Sequence, residues 1–300
     1  MKEINVTFNN EAEISEFVNE AECSFEKRLD EAAEKIVNSG FSCILISGPT
    51  CAGKTTTAEK IISEFKGSGK NVTVISIDNF FKDVKDTRVV KEDEKIDYDS
   101  VDALDLDELK RCIDTIKAGN IIRVPVFDFI LQSRNGYTEH KISDNEVIIF
   151  EGIQAVYPEI TALFNGNYAG IFIDVENGVK INGTVFTKDE IRFIRRVVRD
   201  RNFRGASADF TYYLWESVRE NEEKSIYPNK GACKVFLDSF LEYEIFLMKP
   251  YLKAALSEIC AESKYFAPAK KLLAKFENIQ EISYDYIPKN SLYTEFLGKK

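Results

Sequence analysis

One stretch, "ILISGPTCAGKTTT" at residues 44–57, constrains the fold more than any other part of the chain. An apolar run of the kind expected of a buried parallel strand is broken by Gly48 and Pro49. A second glycine stands at Gly53, and Lys54 opens a helix-compatible segment. The order Gly48-Pro-Thr-Cys-Ala-Gly-Lys-Thr55 fits G-x-x-x-x-G-K-[ST], with the strand before and the helix after that this motif requires. The glycines let the backbone curl so that its N–H groups turn inward on phosphate oxygens. The helix that starts there adds free N–H groups and the positive end of its dipole. Lys54 can reach the terminal phosphates, and Thr55 can offer its hydroxyl to Mg²⁺. The candidate ATP-binding residues are therefore Gly48, Pro49, Thr50, Cys51, Ala52, Gly53, Lys54, Thr55 and Thr56.

Such a loop implies a bound nucleoside triphosphate and no more. A GTPase would also carry Asn-Lys-x-Asp, but Asn229-Lys230 is followed by Gly231 and Ala232. That argues against guanine.

Around the loop the chain alternates. Residues 42–47, "NVTVISID", "NIIRVPVFDF", "NEVIIFEG" and "AGIFIDV" read as strands, and residues 53–65, 104–118, 186–203, 208–224 and 241–257 as helices. The alternation predicts an α/β fold, a mostly parallel sheet of the P-loop NTPase type with helices on both faces. Ile14, Phe17, Val18, Ala21, Phe25, Leu29, Ala33 and Ile36 recur at three- and four-residue steps. They predict a long N-terminal helix, broken at most once, that packs on the sheet or on a second subunit, which leaves a homo-oligomer open. "ENGVKINGTV" suggests a hairpin and "KDVKDTRVVKEDEK" a solvated loop, while the closing "EISYDYIPKNSLYTEFLGKK" reads as a strand and an extension.

Charge narrows the partners. The 300 residues carry a formal net charge of −10, which argues against nucleic acid or an anionic membrane as the main partner. ATP needs only a local positive pocket. No apolar run approaches the roughly 20 residues of a membrane helix, and the start lacks a secretion-signal pattern. Six cysteines without CxxC spacing fit reduced thiols in a cytoplasm.

In a parallel sheet, ligands lie outside the carboxyl ends of the strands. Two predicted strands end in acid, at Asp78 and at Glu151, and so should face the same crevice as Lys54. Glu151 suits Mg²⁺, directly or through water. Asp78 suits a base for an acceptor hydroxyl or a second metal contact. The stretch "IDYDSVDALD" adds Asp97, Asp99, Asp102 and Asp105. Asp102 or Asp105 can cap the next helix, and Asp99 can grip sugar hydroxyls. Arg192, Arg195, Arg196 and Arg199 step by three and four, and Arg201 and Arg204 follow. The spacing puts the first four on one helix face, which reads as a lid closing over triphosphate, since a guanidinium fork can clamp phosphoryl oxygens. His140 reads as a surface side chain and Trp215 as helix packing.

Taken together, "GPTCAGKTT", "IDNFFKD", "YDSVDALD", "VPVFDF", "FEGI" and "RRVVRDRNFRG" resemble the uridine kinase family of P-loop kinases, related to phosphoribulokinase, over residues 42–251. By position Asp78 resembles the family's catalytic acid, Asp99 the acid on the ribose hydroxyls, Glu151 the metal-associated glutamate and Arg196 the arginine near the sugar. Arg199 and Arg204 resemble its lid arginines. The resemblance implies catalysis by Asp78, Lys54, Arg199 and Arg204, a metal held by Thr55, Glu151 and Asp78, and an acceptor held by Asp99, Phe127, Phe129, Gln132 and Arg196. Where uridine kinases read uracil with a Tyr and a His, this chain has Phe127 and Gln132. Ala206 and Leu214 replace an Arg and a Gln. The insertion at "VKINGTVFTK" is a further departure, and "SIYPNKGACKVFLDS" with "IPKNSLYTEFLG" resembles a bacterial branch of uridine-kinase-like nucleoside kinases.

The resulting expectation is a helical extension over residues 1–40, a kinase domain over 41–262 with a lid at about 186–225, and a C-terminal extension over 263–300. The function expected is Mg²⁺-ATP-dependent phosphorylation of a small molecule's hydroxyl, a nucleoside 5′-hydroxyl first. The alternatives are a sugar or polyol kinase of the same fold, or a catalytically weak ATP-binding regulator.

Overall fold

The computed structural model describes residues 1–86, 98–129 and 131–299. Most of the charged stretch read as a solvated loop, and Asp97, lie outside the described residues. Among the described residues ten strands run in chain order, β1 (Lys2–Ile4), β2 (Cys43–Ser47), β3 (Asn71–Ser76), β4 (Ile121–Asp128), β5 (Ser133–Lys141), β6 (Glu146–Glu151), β7 (Ala169–Asp174), β8 (Val179–Ile181), β9 (Thr184–Phe186) and β10 (Val235–Asp238). The helices are α1 (Glu11–Val37), α2 (Lys54–Gly67), α3 (Leu106–Lys117), α4 (Pro158–Leu163), α5 (Lys188–Arg204), α6 (Ala208–Asn221), α7 (Glu244–Leu256), α8 (Phe266–Ala274) and α9 (Thr294–Leu297).

The main sheet has five parallel strands in the order β10-β7-β2-β6-β3. Its middle strands are apolar through their centres because helices cover both faces, and polar residues stand at their ends. Successive residues feed opposite layers, as the two-residue period of a strand dictates. Ile44 and Ile46 of β2, with Val147 and Ile149 of β6, pack in a core beneath the helices α1, α2, α5 and α7. Cys43 and Leu45, with Ile148 and Phe150, pack in the second core beneath α3 and the segment around α4. Burying each such side chain is worth roughly 1.5–3 kcal/mol. In this register Glu151 lies beside both Ile46 and Ser76, so β2, β3 and β6 end level with one another.

Helix α1 runs unbroken for 27 residues, capped by Asn10, whose side chain accepts from the Glu13 N–H. Its buried stripe of Val18, Ala21, Phe25, Leu29, Ala33 and Ile36 packs on α2, β7 and β10. The expected hairpin is β8–β9, closed by Asn182 and Gly183, both at positive φ. Strand β1 adds to it in parallel, and the Asn182 amide exchanges two 2.9 Å hydrogen bonds with the Val6 backbone.

Three differences from the sequence expectation have physical causes. Strand β5 pairs with β4 outside the main sheet, and its polar "SRNGYTEHK" carries no apolar alternation to reveal it. Strand β10 is a short edge. The tail forms no strand: residues 280–299 make a single turn at Tyr284–Tyr286 and the short helix α9. Among the described residues no helix is long and apolar enough to cross a membrane.

Candidate active site

The loop after β2 folds as its glycines require. A Cβ on Gly48 would lie 2.0 Å from the carbonyl oxygen of Ile173, so only glycine lets the two backbones pass. Gly53 has φ +89°, and a Cβ there would meet Leu292 at 2.7 Å. Between them Cys51 adopts φ +58°, and helix α2 begins at Lys54 without a side-chain cap. Uncapped first-turn N–H groups are what an anion needs. The Lys54 ammonium donates to the carbonyls of Gly48 and Pro49, each at 3.0 Å.

In front of the loop opens a cleft of about 330 Å³. Residues 50–55 form its floor, Asp78 and Glu151 come from the ends of the β3 and β6 segments, and Arg199 and Arg204 come from α5. Phe81, Tyr98, Asp99, Phe129, residues 152–154 and Glu295 complete it. A second hollow of about 380 Å³ shares Thr50, Tyr98, Asp99, Ile153 and Arg204 and adds Arg196, Leu214, Ser217, Val218 and Asn221. One wall is aromatic: Phe81 meets Tyr98 at 4.9 Å, Phe127 at 5.5 Å and Phe129 at 6.2 Å, all edge-on.

The cleft holds charge under tension. Burial, with the Glu151 charge close by, pushes the Asp78 carboxyl up to about 6, against the pull of Lys54. Burial lowers Lys54, opposed by Glu151 and Glu295. Glu295 is raised, again chiefly by burial, with Lys54 and Arg199 opposing.

The arginine helix divides in two. Sequence spacing placed Arg192, Arg195, Arg196 and Arg199 on one lid face. Instead Arg192 and Arg195 are wholly buried. Arg192 grips Glu222 through two bonds of 2.5 and 2.7 Å, and Arg195 grips Glu244 through two of 2.5 and 2.8 Å. Both also donate to the back of the loop, Arg192 to the Thr50 carbonyl at 3.4 Å and Arg195 to the Cys51 carbonyl at 3.1 Å. The apolar residues of α5, including Ile191, Ile194, Val197 and Val198, are core. The helix is therefore wedged against the loop. Arg196, Arg199 and Arg204 face the cavities and share the buried carboxylate of Asp200, at 3.2, 3.0 and 3.5 Å.

Of the residues expected from sequence, Thr50, Cys51, Ala52, Gly53, Lys54, Thr55, Asp78, Asp99, Phe129, Glu151, Arg199 and Arg204 line the cleft, and Arg196 lines the adjoining hollow. Gly48, Pro49 and Thr56 lie outside the lining, and the carbonyls of the first two hold the Lys54 ammonium. Phe127 is buried behind Phe129 and Tyr98. Gln132 is exposed at the tip of the β4–β5 hairpin, at φ +49°, and lines neither cavity. Asp105 caps α3 and pairs with Arg134 at 2.9 Å. His140 bonds Thr73 at 3.1 Å and Glu146, near the strands' opposite ends. Trp215 packs on Phe193 and under Arg192. Phe81, Tyr98, Gln154 and Glu295 also line the cleft, and nothing in their sequence spacing marks them for it.

The sequence profile described as the Phosphoribulokinase / Uridine kinase family matches residues 43–245. The chain belongs to that family. Membership places it among the phosphotransferases. A uridine kinase of Mycoplasma genitalium is 32% identical over 175 residues, which is 58% of this chain and 74% of that protein. A uridine kinase of Chlamydia pneumoniae is 34% identical over 195 residues, 64% of this chain and 79% of that one. The solved structure of a possible uridine kinase from Bacillus stearothermophilus aligns with 72% of this chain and 100% of its own, at 18% identity and a TM-score of 0.48. The family profile, over residues 43–245, spans the loop from Gly48, both acidic strand ends and the arginine helix, and stops short of Glu295.

Proposed function

We propose that the chain transfers the γ-phosphoryl group of ATP to a hydroxyl of a small molecule, a nucleoside 5′-hydroxyl first and a sugar or polyol hydroxyl second. One juxtaposition carries the reading: the carboxyl of Asp78 and the ammonium of Lys54 line a single cleft above an uncapped helix N-terminus. The loop N–H groups and Lys54 hold the phosphates. Asp78 takes the proton from the acceptor hydroxyl, and a carboxyl held near 6 is a competent acceptor at neutral pH. Asp99 holds neighbouring hydroxyls. Arg199 and Arg204 stabilise the negative charge on the transferred group without reorganising, because Asp200 already orients them.

Mg²⁺ is ordinarily held by one or two carboxylates together with substrate phosphates. The Thr55 hydroxyl and the Glu151 carboxylate, both lining the cleft, supply such hard oxygen donors, with Asp78 beside them. Bound there, the ion would neutralise charge on the phosphate oxygens. The base side of the acceptor supports an acceptor other than uridine: Phe127 lacks a hydroxyl, Gln132 stands outside the cavities, and Leu214 brings an apolar side chain to the adjoining hollow. A site that lacks a base's hydrogen-bond partners loses selectivity for that base.

The test is a screen of nucleosides, sugars and polyols for ATP-dependent phosphorylation, repeated with Asp78→Asn. The expected result is one preferred acceptor and a kcat lowered by about 10²–10⁴-fold in the variant. Unchanged turnover in Asp78→Asn rejects the proposed base. ATP binding with no phosphorylated product from any acceptor favours a catalytically weak regulator.

A further inference from the structure

The C-terminal segment reaches the cleft by packing between the phosphate loop and the arginine helix. Leu292 lies against Gly53, in the place a Cβ there would take. The carbonyl of Phe296 accepts from the Asn202 side chain of α5 at 3.0 Å, and the Phe203 ring closes on Gly298. The rings of Tyr293 and Phe296 lie over the Arg195 guanidinium at 6.0 and 5.5 Å. These contacts fix α9 so that Glu295 lines the cleft with Lys54, Arg199 and Glu151. Its Oε2 is out of contact with solvent and has no hydrogen-bond partner among the described residues. A carboxylate buried so is costly unless cations offset it, and here Lys54 and Arg199, with Arg195 behind them, are the cations that favour its charge.

We propose that Glu295 is a resident counter-anion of the phosphate cleft, which shares the positive field of Lys54 and Arg199 and thereby competes with an incoming polyphosphate. The inference rests on reading the cleft as a phosphate site. Like charges held together in a partly dry cleft repel strongly, so the carboxylate sets an upper limit on how tightly phosphate binds. Its role is electrostatic positioning. It takes no part in bond making.

The experiment titrates the full-length chain with inorganic tripolyphosphate and with ATP by calorimetry. Glu295→Gln keeps the shape and removes the charge, and should tighten Kd for tripolyphosphate by about three- to tenfold, a gain of up to about one factor of ten in the equilibrium constant. Glu295→Asp keeps the charge and should show no tightening. A merely structural glutamate would give the opposite sign, because loosening the cleft weakens binding. Thermal unfolding checks that Glu295→Gln is folded, and Glu295→Ala repeats the measurement with a second uncharged side chain. Binding that weakens or stays unchanged in the uncharged variants, while the wild type binds tripolyphosphate, overturns the counter-anion and leaves the kinase reading standing. If the wild type binds neither ligand, both readings fall.

Discussion

Charges behind the phosphate loop and charges in front of it are treated in opposite ways. Behind it, two buried arginines each meet a buried glutamate through two hydrogen bonds, Arg192 with Glu222 and Arg195 with Glu244, and both guanidiniums are held above their usual range. Burial opposes the shift there, but the paired glutamates more than offset it. In front, Asp78 and Glu295 are pushed up and Lys54 and Arg204 are pushed down, because burial outweighs their partners, while Arg199, held by Asp200, stays above its usual range as the rear arginines do. One helix, α5, serves both sides. The comparison teaches that satisfied charge shapes the loop, while unsatisfied charge is left where a ligand can use it, at a cost in stability.

The largest effect should come from breaking the satisfied side. Arg195→Met strands the Glu244 carboxylate in the core and frees the Cys51 carbonyl, and removal of one partner of a buried pair costs about 3–5 kcal/mol. Urea unfolding at neutral pH would show the lowered midpoint. The double variant Arg195→Met/Glu244→Leu should recover most of the loss, since the stranded charge goes too. A single-variant loss below about 1 kcal/mol would mean that the pair is no part of what shapes the loop.

On the unsatisfied side the sign reverses. The Asp78 carboxyl titrates near 3.8 when exposed and near 6 in the fold. Below about pH 4 both states are protonated and no penalty exists. Between about 4 and 6 the unfolded chain ionises while the folded chain retains its proton, so stability falls as pH rises. Above 6 the penalty is complete. Asp78→Asn removes the titration, so its stability advantage over wild type should grow by on the order of 2 kcal/mol between pH 4 and pH 7. Denaturation midpoints taken across that range in magnesium-free buffer test it, and parallel curves for the two proteins would refute it.

The same division explains what could be read from the chain alone. The loop was legible because its chemistry lies within eight consecutive residues, from Gly48 to Thr55. Asp78 and Glu151 were legible because a parallel sheet sends strand ends to one crevice, and β3 and β6 pair in register at Ser76 and Glu151. The arginines were half legible. Helical spacing tells which residues share a face, but not that Arg192 and Arg195 turn inward, since Glu222 and Glu244 lie 30 and 49 residues along the chain. Glu295 was illegible for the same reason at greater range: α9 is one short turn, and only its packing on Gly53 and α5 brings it to the cleft. The hairpin β4–β5 misled in detail because its polar second strand hid a turn that carries Gln132 away from the site.

The finest division falls within the front of the cleft, along that hairpin. Phe129 is more than half exposed, yet it lines the cavity and meets Phe81 and Phe127 edge-on. Gln132, three residues on, lines neither hollow, and its carbonyl accepts from the Val84 N–H at 3.1 Å. A ring face offered to a planar or apolar ligand is worth about 1 kcal/mol or somewhat more. Phe129→Ala should therefore lower kcat/KM for the preferred acceptor by about five- to tenfold, mostly through KM, because the ring contacts substrate and transition state alike. Gln132→Ala leaves the backbone bond to Val84 in place and removes only an outward side chain, so kcat/KM should stay within about twofold. Steady-state kinetics on the two variants decide the matter. A larger loss for Gln132→Ala than for Phe129→Ala would mean that the hairpin tip folds over the acceptor during turnover, so that the site extends to Gln132.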